Sequence, residues 1–85
     1  MKVKLLFFAS LRESLGRPHE ELELPANVNT VGTLREHLRA RGGEWASVFA
    51  TNRPVRAAVN QDMAQPAVAI KAGDEIAFFP PVTGG

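Results

Sequence analysis

The sequence predicts an α+β fold in which one mixed sheet packs over one main helix and a short extended tail follows the last strand. Three observations predict it. Two strand-like alternating segments precede a single strong amphipathic helix, further strand-like segments follow it, and Pro80-Pro81 closes the last of them. With 85 residues the chain has material for one core, since a domain of this size buries only about two-thirds of its unfolded surface. We therefore expect one domain over residues 1–79 and a flexible tail over residues 80–85.

Lys2 to Phe8 reads as the first strand, with Val3, Leu5 and Phe7 facing the core. Its other face begins with Lys2 and Lys4 and ends with Leu6 and Phe8, so its second half presents an apolar patch that needs a cover. Ser10 is placed to cap a short helical turn from Leu11 to Leu15, which Gly16 and Pro18 close. Glu20 to Leu24 alternates again, Leu22 and Leu24 inward and Glu21 and Glu23 outward, until Pro25 ends it and makes a hairpin-like pair with the first strand.

From Asn29 or Thr30 as N-cap, Val31, Leu34 and Leu38 recur at helical spacing, with Arg39 and Arg41 in the last turn and Gly42-Gly43 as the stop. Glu44 to Phe49 reads as a second, short helix whose Trp45 and Phe49 add bulk to the core. Val55 to Asn60 is a further strand, Asn60-Gln61-Asp62 a polar turn, and Ala72-Gly73-Asp74 a tight turn into the last strand, Glu75 to Phe79. There Ile76 and Phe78 face one side and Ala77 and Phe79 the other; Pro80-Pro81 ends the ladder because neither residue donates a backbone hydrogen bond. This order is that of a β-grasp. A ferredoxin-like domain needs two comparable crossover helices, and residues 44–49 are too short to be the second.

Composition narrows the function classes. With 45% hydrophobic and 22% charged residues the chain is an ordinary globule, not a disordered or collagenous one. A net charge of +1 is too small to drive counterion-release binding to nucleic acid, and no basic stretch is interleaved with stacking aromatics. No apolar run approaches the ~20 residues that span a bilayer, and Met1-Lys2-Val3-Lys4 leads into a strand pattern, not a signal peptide. We expect a cytoplasmic protein with no membrane contact. Cysteine is absent, so no side-chain persulfide, thioester or thiolate metal site is available.

Pro80-Pro81-Val82-Thr83-Gly84-Gly85 reads as an arm. Six residues reach at most about 20 Å, enough to enter a pocket of another protein while the globule stays outside. The prolines favour an extended exit, and the glycines, lacking Cβ, fit a narrow channel and leave the terminal carbonyl carbon open to attack. A free carboxylate is a poor electrophile, so acyl chemistry at Gly85 calls for adenylation by ATP, after which sulfide transfer gives a nucleophilic thiocarboxylate. Two glycines fall together by chance in roughly one chain end in 200, so the dipeptide alone is weak; the preceding Phe78-Phe79 and double proline strengthen it.

Phe78-Phe79-Pro80-Pro81-Val82-Thr83-Gly84-Gly85 resembles the C-terminal signature of the molybdopterin synthase small subunits, the sulfur carriers of molybdenum cofactor biosynthesis. The resemblance extends to Leu6-Phe7-Phe8-Ala9 with Arg12-Glu13, to Thr33-Leu34-Arg35 with His37-Leu38, to Ala57-Ala58-Val59-Asn60-Gln61 and to Gly73-Asp74-Glu75. It implies a ubiquitin-like fold and adenylation of Gly85 by a ubiquitin-activating-like adenylyltransferase that binds the ATP, with no cofactor bound by this chain. It further implies a Gly85 thiocarboxylate, insertion of the tail, Gly84 included, into the large synthase subunit, and sulfur transfer to cyclic pyranopterin monophosphate. A dithiolene takes two sulfurs, so two carriers serve each product, in a synthase of two small and two large subunits. The chain would be a sulfur-donor subunit, not catalytic alone.

If the first and last strands are neighbours, Leu6, Phe8, Ala77 and Phe79 share an outer face beside the tail, with Met63 extending it. We expect this face, with Pro80, Pro81, Val82 and Thr83, to contact the partner. Arg12, which matches a family position near the tail, is expected to pair with a partner carboxylate or hold the arm's exit. Arg35, Arg39 and Arg41 read as a solvated helix face. His19 and His37 lack any metal-ligand spacing, and Asp74-Glu75 reads as turn chemistry, not as an acid pair. Three other readings remain: a thiamine-pathway sulfur carrier, a ubiquitin-like protein modifier, and a β-grasp interaction or RNA-binding module.

Overall fold

The computed structural model describes residues 1–81. Its elements are β1 (Lys2–Phe7), α1 (Ala9–Leu15), β2 (His19–Glu23), α2 (Val31–Arg39), α3 (Gly43–Val48), β3 (Arg56–Val59), β4 (Asp62–Ala64) and β5 (Glu75–Phe79). The five strands form one mixed sheet in the order β2-β1-β5-β3-β4, with β1 and β5 parallel and the other pairs antiparallel. The parallel β1–β5 pair brings the start and end of the fold together at the sheet centre, the β-grasp arrangement.

Strand alternation sets the core. Val3, Leu5 and Phe7 of β1 and Ile76 and Phe78 of β5 are buried, and meet Leu34 and Leu38 of α2 and Phe49 after α3. Phe7, Phe49 and Phe78 form its aromatic centre, Phe49 lying edge-on to Phe78 with ring centroids 5.1 Å apart. α2 begins at Thr30, whose Oγ1 accepts from the Thr33 amide at 3.1 Å, while Thr33 Oγ1 accepts from the Thr30 amide at 2.9 Å. The next amides, of Val31 and Gly32, donate to Val68 and Pro66 carbonyls at 3.0 and 2.9 Å, fastening the β4–β5 connection across the helix start. A Cβ on Gly32 would stand 3.2 Å from the Pro66 carbonyl oxygen, which is why glycine fits there.

Two local expectations are corrected. Ser10 is not the cap of α1: the N-cap is Phe8, whose carbonyl accepts from Leu11 at 3.1 Å, with no side-chain cap. The β1–β5 ladder continues one residue beyond β1, through the Phe8 amide to the Phe78 carbonyl, and α1 starts directly after it with Ala9 at φ +53°. Asp62 is not a turn residue. Asn60 and Gln61, at φ +49° and +73°, complete a two-residue hairpin turn, and Asp62 opens β4 opposite Val59.

Candidate functional site

The register fixes the outer face of the sheet. Leu6 pairs with Ala77, Ala77 with Ala58, Ala58 with Met63, and Leu6 on its other side with His19, so these five side chains cross the sheet in one row. One row towards the start of β5 the face is charged, with Glu21, Lys4 and Glu75 in register. One row towards its end, Phe79 stands opposite Arg56, and Phe8 follows Phe7 alongside Phe79. The face therefore grades from charged to apolar along β1 and β5, in the direction of the tail.

The apolar half is accessible. Phe8 is 47% exposed and Met63 61%, while Leu6, Ala77, Phe79, Pro80 and Pro81 are half-buried. Among the described residues no loop covers Phe8. Ala58 is buried yet lies outside the core cluster, consistent with a place in the outer row. Phe8, Met63, Phe79, Pro80 and Pro81 thus fall on or beside one surface. Arg12 is exposed on α1 and makes no ion pair among the described residues. Val82, Thr83, Gly84 and Gly85 lie outside the described residues.

The charged side chains elsewhere are engaged in holding the fold. Arg35 is not a solvated arginine. Its Nε donates to the Phe49 carbonyl at 3.2 Å, and Nη2 to the Ala50 and Arg53 carbonyls at 2.6 and 2.8 Å, closing the open end of α3. Arg41 is also committed. It grips both oxygens of Glu20 and lies over the Trp45 ring at 4.3 Å, while Arg17 joins Glu20 at 2.9 Å. The Arg41 hydrogen bonds hold the Glu20 carboxyl below its ordinary range, against the opposing effect of partial burial. Of the three arginines only Arg39 keeps to the expectation, exposed and paired with Glu36, while Arg41 lies beyond the end of α2.

Asp74 is the one buried charged residue among those described. It accepts from Asn60 Nδ2 at 3.0 Å, from the Lys71 amide at 2.9 Å and from Lys71 Nζ at 3.1 Å. Asn60 in turn accepts from the Glu75 amide at 3.0 Å. Burial pushes the Asp74 carboxyl up, but the bonds from Asn60 and Lys71 outweigh it and hold the carboxyl below its ordinary range. This clasp fixes the β3–β4 turn to the start of β5, remote from the apolar row.

Sequence reading missed His19, Arg56 and Ala58 on the outer face. The signal that places them is cross-strand register, which no single strand carries.

This geometry offers an accessible apolar face beside Pro80-Pro81, and the comparisons give the chain a family. The family model described as the ThiS family matches residues 5–85. The chain belongs to the ThiS family. A curated relative, the molybdopterin synthase sulfur carrier subunit of Escherichia coli (strain K12), is 42% identical over 83 residues, covering 98% of this chain and 99% of the relative. Among solved structures, SAMP1 from Haloferax volcanii superposes with a TM-score of 0.77 at 25% identity, covering all of both chains. Subunits 1 and 2 of molybdopterin-converting factor from Helicobacter pylori 26695 are solved as a complex; the matching chain has a TM-score of 0.67 at 22% identity over all of both chains, which shows the shared fold. These ThiS-family and modifier-type neighbours agree with the ubiquitin-like β-grasp read from the strand order.

Proposed function

We propose that this chain is the sulfur carrier subunit of a molybdopterin synthase. The observation that carries the reading is the apolar outer row that ends in Phe79 and passes directly into Pro80-Pro81, in a chain 42% identical to a curated sulfur carrier subunit. The globule docks by this face, and the tail carries the chemistry at a distance from it.

In the proposed cycle the Gly85 carboxylate oxygen attacks the α-phosphate of ATP held by a ubiquitin-activating-like enzyme, and pyrophosphate leaves. Hydrosulfide then adds to the acyl carbon and AMP leaves, giving the thiocarboxylate. Docked on the large subunit, with Gly84-Gly85 inserted, the terminal sulfur attacks a carbon of cyclic pyranopterin monophosphate and displaces an oxygen substituent there; water then cleaves the acyl–sulfur bond, leaving the sulfur on the pterin and Gly85 as the carboxylate. Two carriers serve each dithiolene, in an assembly of two small and two large subunits in the cytoplasm. Phe8, Met63, Phe79, Pro80 and Pro81 form the docking contact, continued by Val82 and Thr83, with Arg12 at its margin. No nucleotide site is assigned to this chain.

Intact mass spectrometry after incubation with ATP, the activating enzyme and a sulfur source tests the first half of the cycle. The expected result is one sulfur-for-oxygen exchange confined to Gly85. An unchanged mass under conditions that load a known carrier contradicts it. Likeness to SAMP1 favours a second reading, attachment of Gly85 to lysines of other proteins; conjugates of this chain in cell lysate would establish that use.

A further inference from the structure

Beside the outer face lies a groove of about 680 Å³ between the start of α2 and the β3–β4 edge. Met63, Arg56 and Pro81 stand at its lining as well as on or beside the apolar face, so the two surfaces are continuous around the sheet edge. The groove is mainly apolar, with Val31, Val55 and Phe78 in its wall, but two arginines, Arg35 and Arg56, also line it.

Arg35 is fixed from behind by the carbonyls of Phe49, Ala50 and Arg53, through Nε and Nη2. Its Nη1 makes no hydrogen bond among the described residues, and Arg35 is half-buried. Arg56 is exposed and has no ion pair among the described residues. The one acidic side chain at the groove, Glu36, is occupied by a two-point contact with Arg39. The groove lining therefore sets two arginines against one glutamate that Arg39 already contacts, a net positive charge at the edge of an accessible apolar patch.

We infer that the docking face turns the sheet edge at Arg56 and Met63, and that the groove takes an aspartate or glutamate side chain of the large synthase subunit between Arg56 and Arg35. This rests on the sulfur-carrier reading and extends it. A carboxylate is the chemistry that two guanidinium groups recognise, and the apolar wall excludes water around the pair.

The test measures association of the full chain with the large subunit from the same genome, as rate and affinity across a salt series, for wild type, Arg56→Gln and Lys2→Gln. Lys2 is an exposed cation at the charged end of the outer face, so its variant changes net charge equally, away from the groove. Arg56→Gln is expected to slow association about fivefold at low salt and to flatten its salt dependence, with Lys2→Gln near wild type. Equal behaviour of the two variants overturns the groove contact while leaving the carrier reading intact. Failure of the wild type itself to bind overturns the carrier reading and the inference with it. Circular dichroism of Arg56→Gln confirms that the comparison is between folded chains.

Discussion

The two ends of β5 are built in opposite ways. At its start the clasp of Asp74, Asn60 and Lys71 gathers a buried carboxylate, two side-chain donors and a backbone amide into one closed set. At its end Phe79 and the two prolines lie half-open beside Phe8 and Met63, with the charged groups kept at the margin. One strand thus carries a fastening and the proposed docking edge about five residues apart. The difference teaches where each kind of change should register: at the start of β5 in stability, at its end in association and chemistry.

The sharpest way to test that division is to remove Gly85. Sulfur loading should fall to nothing while the melting temperature stays at the wild-type value, because the described core cluster runs from Val3 to Phe78; a shift of several degrees would show that tail and body are coupled. Asp74→Ala should do the reverse. It leaves Asn60 and the Lys71 amide without their buried acceptor and should lower unfolding free energy by about 3 kcal/mol in urea, with sulfur loading of the folded fraction unchanged.

Phe79→Ala should weaken binding to the large subunit by about 2 kcal/mol, roughly thirtyfold, and alter stability far less, since Phe79 points away from the core. The smallest effect expected is in acid. The Asp74 carboxyl is held low in the folded state, so its contribution is complete above its unfolded value and is lost as pH falls below about 4. Glu20, held low by Arg41, acts in the same window. Asp74→Asn should therefore flatten the acid limb of stability against pH, and Glu20→Gln should flatten it further.

Sequence alone disclosed the parts whose pattern is local. The alternation in β1, β2 and β5 separated inner from outer faces correctly, and the spacing of Val31, Leu34 and Leu38 placed α2. What stayed hidden depends on long-range partners. β4 has three residues, too few to show a period, and exists because Asn60 and Gln61 turn the chain back on β3. Arg35 looks like any surface arginine until α3 brings its final carbonyls to the side chain. Asp74 sits in a sequence typical of an exposed turn, and its burial follows from Asn60, fourteen residues earlier. The outer patch was legible at Leu6, Phe8, Ala77 and Phe79, whereas Arg56, Ala58 and His19 join it only through register.

The most direct test of the whole account is a single-turnover transfer. Chain loaded with sulfur at Gly85 is mixed with the large subunit and cyclic pyranopterin monophosphate, and both the carrier mass and the pterin product are followed. We expect the carrier to lose its sulfur and return to the carboxylate form as dithiolene appears, two carriers for each product molecule. A carrier that docks yet keeps its sulfur, or gives it up without product, would contradict the assignment.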